Sequence, residues 1–301
     1  MNLRLALPLL LTTALPLIAQ ELEPRRWSHL PMDTNLIGTG YAYTSADIAF
    51  NPLLEIKDAT LDLHTIGLSY LRTFELMGKS ARFDLTQAYQ NGRWKGLLDG
   101  EPAQALRSGL RDPVLRLSVN LLGAPPLKGK DFAAYRAGVK RETIIGAGLA
   151  VSLPVGEYFD DKLINLGQNR YVFRPQLGIV HQHDKWSFEL TGTTWLFTEN
   201  DSFWNGNHVE QDPLYTLQGH VIYSIRPGLW TSASLGYAYG GISTVNGIEK
   251  NDRKKNLAWA LSVGCPITPH FAMKLAYIGT RTQTDTGADS DTIALAAVYV
   301  W

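Results

Sequence analysis

The sequence predicts an all-β fold: a transmembrane antiparallel β-barrel of about twelve strands behind a cleaved N-terminal signal peptide. Three observations predict it. Beyond residue 20 no apolar run is long enough for a spanning helix, yet segment after segment alternates apolar with polar residues. Short and long connections take turns between these segments, matching outer-membrane barrels, whose periplasmic turns are short and outer loops long. The last segment puts Ile293, Leu295, Ala297, Tyr299 and Trp301 on one face and stops at an aromatic residue.

The export signal comes first along the chain. Arg4 precedes an apolar run from Leu5 to Ile18 closed by Ala19, and cleavage is expected after Ala19. A membrane helix is the rival reading, but the run falls short of the ~20 apolar residues a bilayer requires, and Pro8 and Pro16 interrupt it. Residues 20–34, polar and charged, are assigned to an N-terminal periplasmic segment, with residues 21–34 open between a plug and a free tail, and residues 35–301 to the barrel. With 28 basic and 28 acidic residues, the chain has no global field to attract nucleic acid, which is not an expected partner. The single Cys265 cannot close an intrachain disulfide, so stability must come from backbone pairing and packing.

The strands are expected at residues 35–45, 61–74, 80–89, 113–122, 143–154, 171–182, 185–199, 212–224, 229–240, 256–266, 271–280 and 291–301. Leu115, Leu117, Val119 and Leu121 oppose Arg116, Ser118 and Asn120; Trp186, Phe188 and Leu190 oppose Ser187, Glu189 and Thr191. One face suits lipid, the other water. The second strand breaks phase near Thr65, which predicts a β-bulge there. Short turns fall at 75–79, 183–184, 225–228 and 267–270, and long loops at 46–60, 90–112, 155–170, 200–211, 241–255 and 281–290. Residues 123–142 are the exception, a long connection where a short turn is due: either Lys130 to Val139 form a short helix on the periplasmic side, or the strand count is off there. Tyr223, Trp230, Trp186 and Phe271 flank the short turns, and Tyr41, Tyr43, Tyr237 and Tyr239 the far strand ends, which predicts two aromatic girdles.

A solute path requires a hydrated lumen, and Arg82, Asp84, Arg116, Asn120, Arg174, Gln176, Glu189, Gln218, His220 and Lys274 are the residues expected to line it. Barrels of ~8 strands are filled by side chains and those of 16–18 are open, so about twelve strands leave pore and filled lumen both standing. The loop carboxylates Asp47, Asp99, Asp112, Asp160, Asp161, Glu199, Asp201, Asp212 and Asp252 read as turn formers in preference to cation ligands. His181 and His183 share a strand face but run into a tight turn, so no metal and no cofactor are expected. A lipid hydrolase would need Ser, His and a third polar group together at the outer leaflet, with no such set evident and no GxSxG elbow. Cys265 alternates with Leu261 and Val263 and should face lipid.

Several long stretches carry a resemblance: GYAYTSADIAFNP (40–52), SGLRDPVLRLSVNLLGAP (108–125), INLGQNRYVFRPQLG (164–178) and QDPLYTLQGHVIYSIRPGLW (211–230). On these the chain resembles the outer-membrane family labelled "putative MetA-pathway of phenol degradation" over nearly its whole mature length. The resemblance implies an outer-membrane barrel passing small apolar or aromatic molecules. Expected partners are outer-membrane lipid and lipopolysaccharide, the assembly machinery that reads a terminal strand such as the one ending in Tyr299 and Trp301, and a small-molecule solute. A structural or adhesive barrel with a filled lumen is the alternative, followed by a lipid-active enzyme.

Overall fold

A computed structural model describes residues 22–49 and 56–301. The signal peptide expected over residues 1–19 lies outside the described residues. The chain runs through β1 (Asn35–Ala49), β2 (Ile56–Leu76), β3 (Lys79–Leu98), β4 (Glu101–Leu110), β5 (Val114–Leu122), α1 (Gly129–Gly138), β6 (Arg141–Ser152), β7 (Val172–His183) and β8 (Trp186–Phe197). It continues through β9 (Asn200–Phe203), β10 (Asn207–Gln211), β11 (Leu214–Arg226), β12 (Leu229–Gly240), β13 (Ser243–Val245), β14 (Ile248–Glu249), β15 (Lys254–Pro266), β16 (Phe271–Thr282) and β17 (Gly287–Val300).

Every pairing in the main sheet is antiparallel, and the extra contact of β2 with β3 closes it into a ring. Twelve strands form the wall, since β4 pairs only with the upper half of β3 and stands above it. The last strand seals against the first: Asn35 and Trp301 exchange both backbone hydrogen bonds at 3.0 Å. Closure leaves no row of open N–H and C=O groups along a lipid-facing edge, the condition a bilayer imposes on any sheet. Met77 and Gly78, both at positive φ, make the two-residue turn that joins β2 to β3.

All twelve wall strands coincide with the sequence expectation, as does the helix at the exceptional connection, here α1. Strand length differs. β2 and β3 extend well beyond the expected ends and continue into a β3–β4 hairpin turned at Asp99 and Gly100, φ 53° and 83°. The smaller strands β9, β10, β13 and β14 form a separate four-stranded sheet within the expected loops 200–211 and 241–255.

The bulge expected at Thr65 is not there. Pairing of β2 with β3 is unbroken from Thr60 to Leu76, and the irregularity falls between Lys57 and Thr60, around Asp58 at φ 49°. What changes near Thr65 is the surroundings, not the register. Ile66 and Leu68 point outward and are more than half exposed, whereas Leu61 and Leu63 point inward and are buried with Trp94, Ala46 and Ile48. Below Thr65 the outer face meets an apolar medium; above it that face carries His64 and Asp62, and the apolar side chains turn to the interior.

Candidate functional site

Strand parity directs all ten expected lumen residues inward. Arg82 and Asp84 sit two apart on β3 with Nε and a carboxylate oxygen 3.1 Å apart, and Asp84 is the register partner of Arg116 on β5. Asn120 donates to Ser80 Oγ at 3.1 Å. The Arg174 guanidinium lies 4.6 Å over the Trp195 ring, and Gln176 donates to Thr193 Oγ1 at 3.3 Å. His220 bonds Ser234 Oγ at 2.7 Å and Gln218 Oε1 at 3.2 Å. This Ser–His contact faces the lumen, not the outer leaflet, and its third member is a neutral amide, so it reads as a satisfied buried cluster. Trp230 is a correction to the girdle: it shares the inward face of β12 with Ser232 and Ser234, and Arg25 stacks over its ring at 5.5 Å.

What the polar wall surrounds is the chain's own N-terminal segment. Residues 22–34 run through the barrel interior. Leu22 packs on Ala258, Ala260, Ala276 and Ile278 of β15 and β16. Trp27, 1% exposed, packs with Ala124, Ile144 and Val180 and donates from Nε1 to Thr191 Oγ1 at 2.9 Å. It fits because the wall beneath it is bare: a Cβ on Gly146 or Gly178 would come within 2.2 or 1.9 Å of its ring.

Charge fixes the segment in register with the wall. Glu23 accepts from Arg26 at 2.9 Å and lies 3.8 Å from Arg116, while the backbone N–H of Arg25 donates to Glu189 at 2.8 Å. Burial alone would raise the Glu23 pKa, but Arg26, Arg116, Arg82 and Lys274 together hold it well below the usual carboxylate range. Arg26 also donates to Gln176 at 3.4 Å. Only a narrow crevice remains between the segment and the wall, bordered by Arg26, Met32, Thr73, Ser80, Arg82 and Asn120.

The short-turn end is capped by α1 and the segment together. Met32 N–H donates to Leu127 O at 2.8 Å, Lys128 pairs with Asp33 at 3.1 Å, and His29 Nε2 lies 2.7 Å from Pro125 O. The His29 ring meets Phe132 and Tyr135 edge-on at 4.8 and 5.4 Å. Glu142 anchors the helix, accepting from Ala124 N, Tyr135 Oη and Arg136 Nη1 at 2.9, 2.8 and 2.7 Å. Burial and that bond push the Tyr135 pKa up to about 12. At the other end Asp112 accepts from the backbone of Gly156 and Gln168 at 2.9 and 2.8 Å, tying down a loop whose Ile164 and Leu166 pack on Leu61, Leu63 and Trp94. Asp252 likewise accepts from Ser243 N at 2.8 Å, a loop-forming role for both carboxylates.

Burial lowers the His29 pKa below its ordinary value of 6.5, so the docked ring resists protonation. The docked contact is fully stabilising above the pKa of the free ring. As pH falls through about 6.5 the released ring takes up a proton and the docked one does not, so docking weakens. Protease cleavage within residues 22–34 of the refolded protein should rise between pH 7 and 5, and His29→Gln should flatten that rise.

The sequence alone left plug and free tail both open for residues 21–34, because residues 22–34 carry no strand pattern. The signal was Trp27 set among charged residues, matched by Gly146 and Gly178 on inward strand faces. Among known proteins, the profile described as "Putative MetA-pathway of phenol degradation" matches residues 41–296. The COG4313 outer membrane channel from Pseudomonas putida F1 has a similar structure, with TM-score 0.76 and 22% identity over 93% of this chain and 99% of that one. The translocator domain of the autotransporter NalP from Neisseria meningitidis gives TM-score 0.48 and 8% identity over 91% and 90%. The CymD monoaromatic hydrocarbon channel gives 0.42 and 8% over 90% and 88%. No curated protein sequence matches. The fold is that of a bacterial outer-membrane β-barrel.

Proposed function

The chain belongs to the family described as "Putative MetA-pathway of phenol degradation", and we propose from that premise that it is a passive channel for small apolar or aromatic solutes across the outer membrane. The observation that carries this reading is how the lumen is blocked. A short segment without strand structure, held by ion pairs and hydrogen bonds, fills an otherwise polar interior. A barrel with a purely structural role would gain more from apolar wall side chains meeting across the axis, since keeping Arg82, Arg116, Arg174 and Lys274 inside carries a desolvation cost. The likenesses add support: the Pseudomonas protein of similar structure is described as an outer membrane channel, and the family description concerns phenol degradation.

In this reading Arg82, Asp84, Arg116, Asn120, Arg174, Gln176, Glu189, Gln218, His220 and Lys274 border the solute path once the segment moves, and their mixed charge gives weak ion selectivity. The aromatic pair Tyr299 and Trp301, stacked at 5.9 Å on the closing strand, serves as the mark read by the assembly machinery, and the outer loops meet lipopolysaccharide. The reading needs no cofactor, and the Pseudomonas protein of similar structure is described as a channel.

The test is conductance of the refolded protein in a planar bilayer with and without phenol or toluene. Discrete steps reduced by the solute are expected, with step size altered in Arg116→Ala and Arg174→Ala. Silence from a folded, heat-modifiable barrel would assign the protein to the filled-lumen, structural reading instead.

A further inference from the structure

The four-stranded sheet above the barrel holds a group of side chains the channel reading does not use. The β9–β10 hairpin turns at Asn205 and Gly206, both at positive φ, and stands at the end of the barrel opposite the short turns. His208 and Glu210 are two apart on β10 and so share a face. Beside them lie Asp201 on β9 and Glu199 just before it. His208 Nδ1 is 2.7 Å from Asp201, Nε2 is 3.1 Å from a Glu210 oxygen and 3.9 Å from a Glu199 oxygen, and one ligand atom from each of Glu199, His208 and Glu210 falls within 4.8 Å of the others.

We propose that His208 Nε2 and the carboxylates of Glu199 and Glu210 form a site for a borderline divalent cation, Zn²⁺ by preference, on the outer rim of the barrel. Two features separate it from a patch of surface acids. The first is the imidazole. With Asp201 accepting from Nδ1–H, the Nε2 lone pair turns toward the two glutamates, the arrangement in which a carboxylate orients a metal-bound histidine. The second is the charge count. An imidazolium has two N–H donors, and Asp201 and Glu210 use both, which leaves Glu199 as a third anion with no proton to meet it. Even a charged ring leaves an excess of two negative charges, which a dication neutralises.

The geometry suits the ion. Tetrahedral zinc with ligands at about 2.0–2.2 Å holds them about 3.3–3.5 Å apart, so Glu210 already stands near its place and Glu199 must approach slightly. The fourth position is left for water. A nitrogen donor selects zinc or copper over calcium, which takes oxygen ligands. The bound ion would tie the start of β9 to β10.

The test is calorimetric titration of the full-length refolded protein, free of any polyhistidine tag, with ZnCl₂ and CaCl₂. Expected is one saturable Zn²⁺ equivalent that excess Ca²⁺ does not displace, is abolished in His208→Ala, and is weakened about 10- to 100-fold in Asp201→Asn. Each variant should keep its heat-modifiable gel shift, because the hairpin lies outside the wall. No saturable Zn²⁺ binding, binding unchanged in His208→Ala, or displacement by equimolar Ca²⁺ would overturn the proposal. None of these readouts depends on conductance, so the site stands or falls separately from the channel.

Discussion

Deleting residues 22–33 raises single-channel conductance several-fold. The deletion removes Leu22, Trp27 and Met32 from the lumen and takes away Glu23, the carboxylate facing Arg82, Arg116 and Lys274. The wall should survive, because its hydrogen bonds run strand to strand and none of the sheet pairings uses this segment. A second route leaves the segment in the chain. Gly178→Leu places side-chain atoms where the Trp27 ring lies, within 1.9 Å even for a Cβ, so the ring must leave its seat. Losing a buried aromatic contact of this kind costs about 3–5 kcal/mol, enough to turn a docked segment into a largely undocked one. Both variants, reconstituted in a planar bilayer, should therefore open the channel, while Gly192→Leu, at a wall glycine whose Cβ position is free, should not. If the two segment variants fold, yet conduct no better than the parent chain, residues 22–34 do not gate the lumen.

The wall was legible because a bilayer writes a strict two-residue period into strands: Leu115, Leu117 and Val119 against Arg116 and Ser118 can be read without coordinates. Legibility failed where the rule that writes the pattern changed. Above Thr65 the outer face of β2 is polar and the inner face apolar, so an unchanged register looks like a slip. The same reversal hid the upper half of β3, where Trp94 points inward between Arg93 and Lys95, and the alternation passed for a polar loop. Trp230 misled for another reason. Its place near a short turn suits a girdle, but parity with Ser232 and Ser234 puts it inside, under Arg25. Periodicity could not decide between plug and free tail, since the segment's contacts are made to wall strands and follow no repeating pattern of its own. Only complementary shapes, a Trp and two inward glycines, record the plug.

Leu177→Arg tests the membrane itself and should lower unfolding stability by about 2–4 kcal/mol in lipid vesicles. Leu177 stands at the middle of β7, 66% exposed, between Ala147 on β6 and Gly192 on β8. Those neighbours are small, so the new side chain meets no steric conflict in the sheet. That makes the outcome depend on the medium alone. In water a substitution at so open a site changes stability by only about 0.5 kcal/mol. In a bilayer the guanidinium must either lose its hydration or bend to the interface, and the cost is greatest at mid-depth. Val155→Arg supplies the contrast: Val155 is 70% exposed, but it lies in the loop after β6, beyond the wall, and should tolerate the charge within about 0.5 kcal/mol. Equal exposure with unequal cost, read as a shift of the denaturant midpoint, is what an apolar solvent around β7 requires. Equal cost at both sites would place Leu177 in water and sink the assignment of the outward face to lipid.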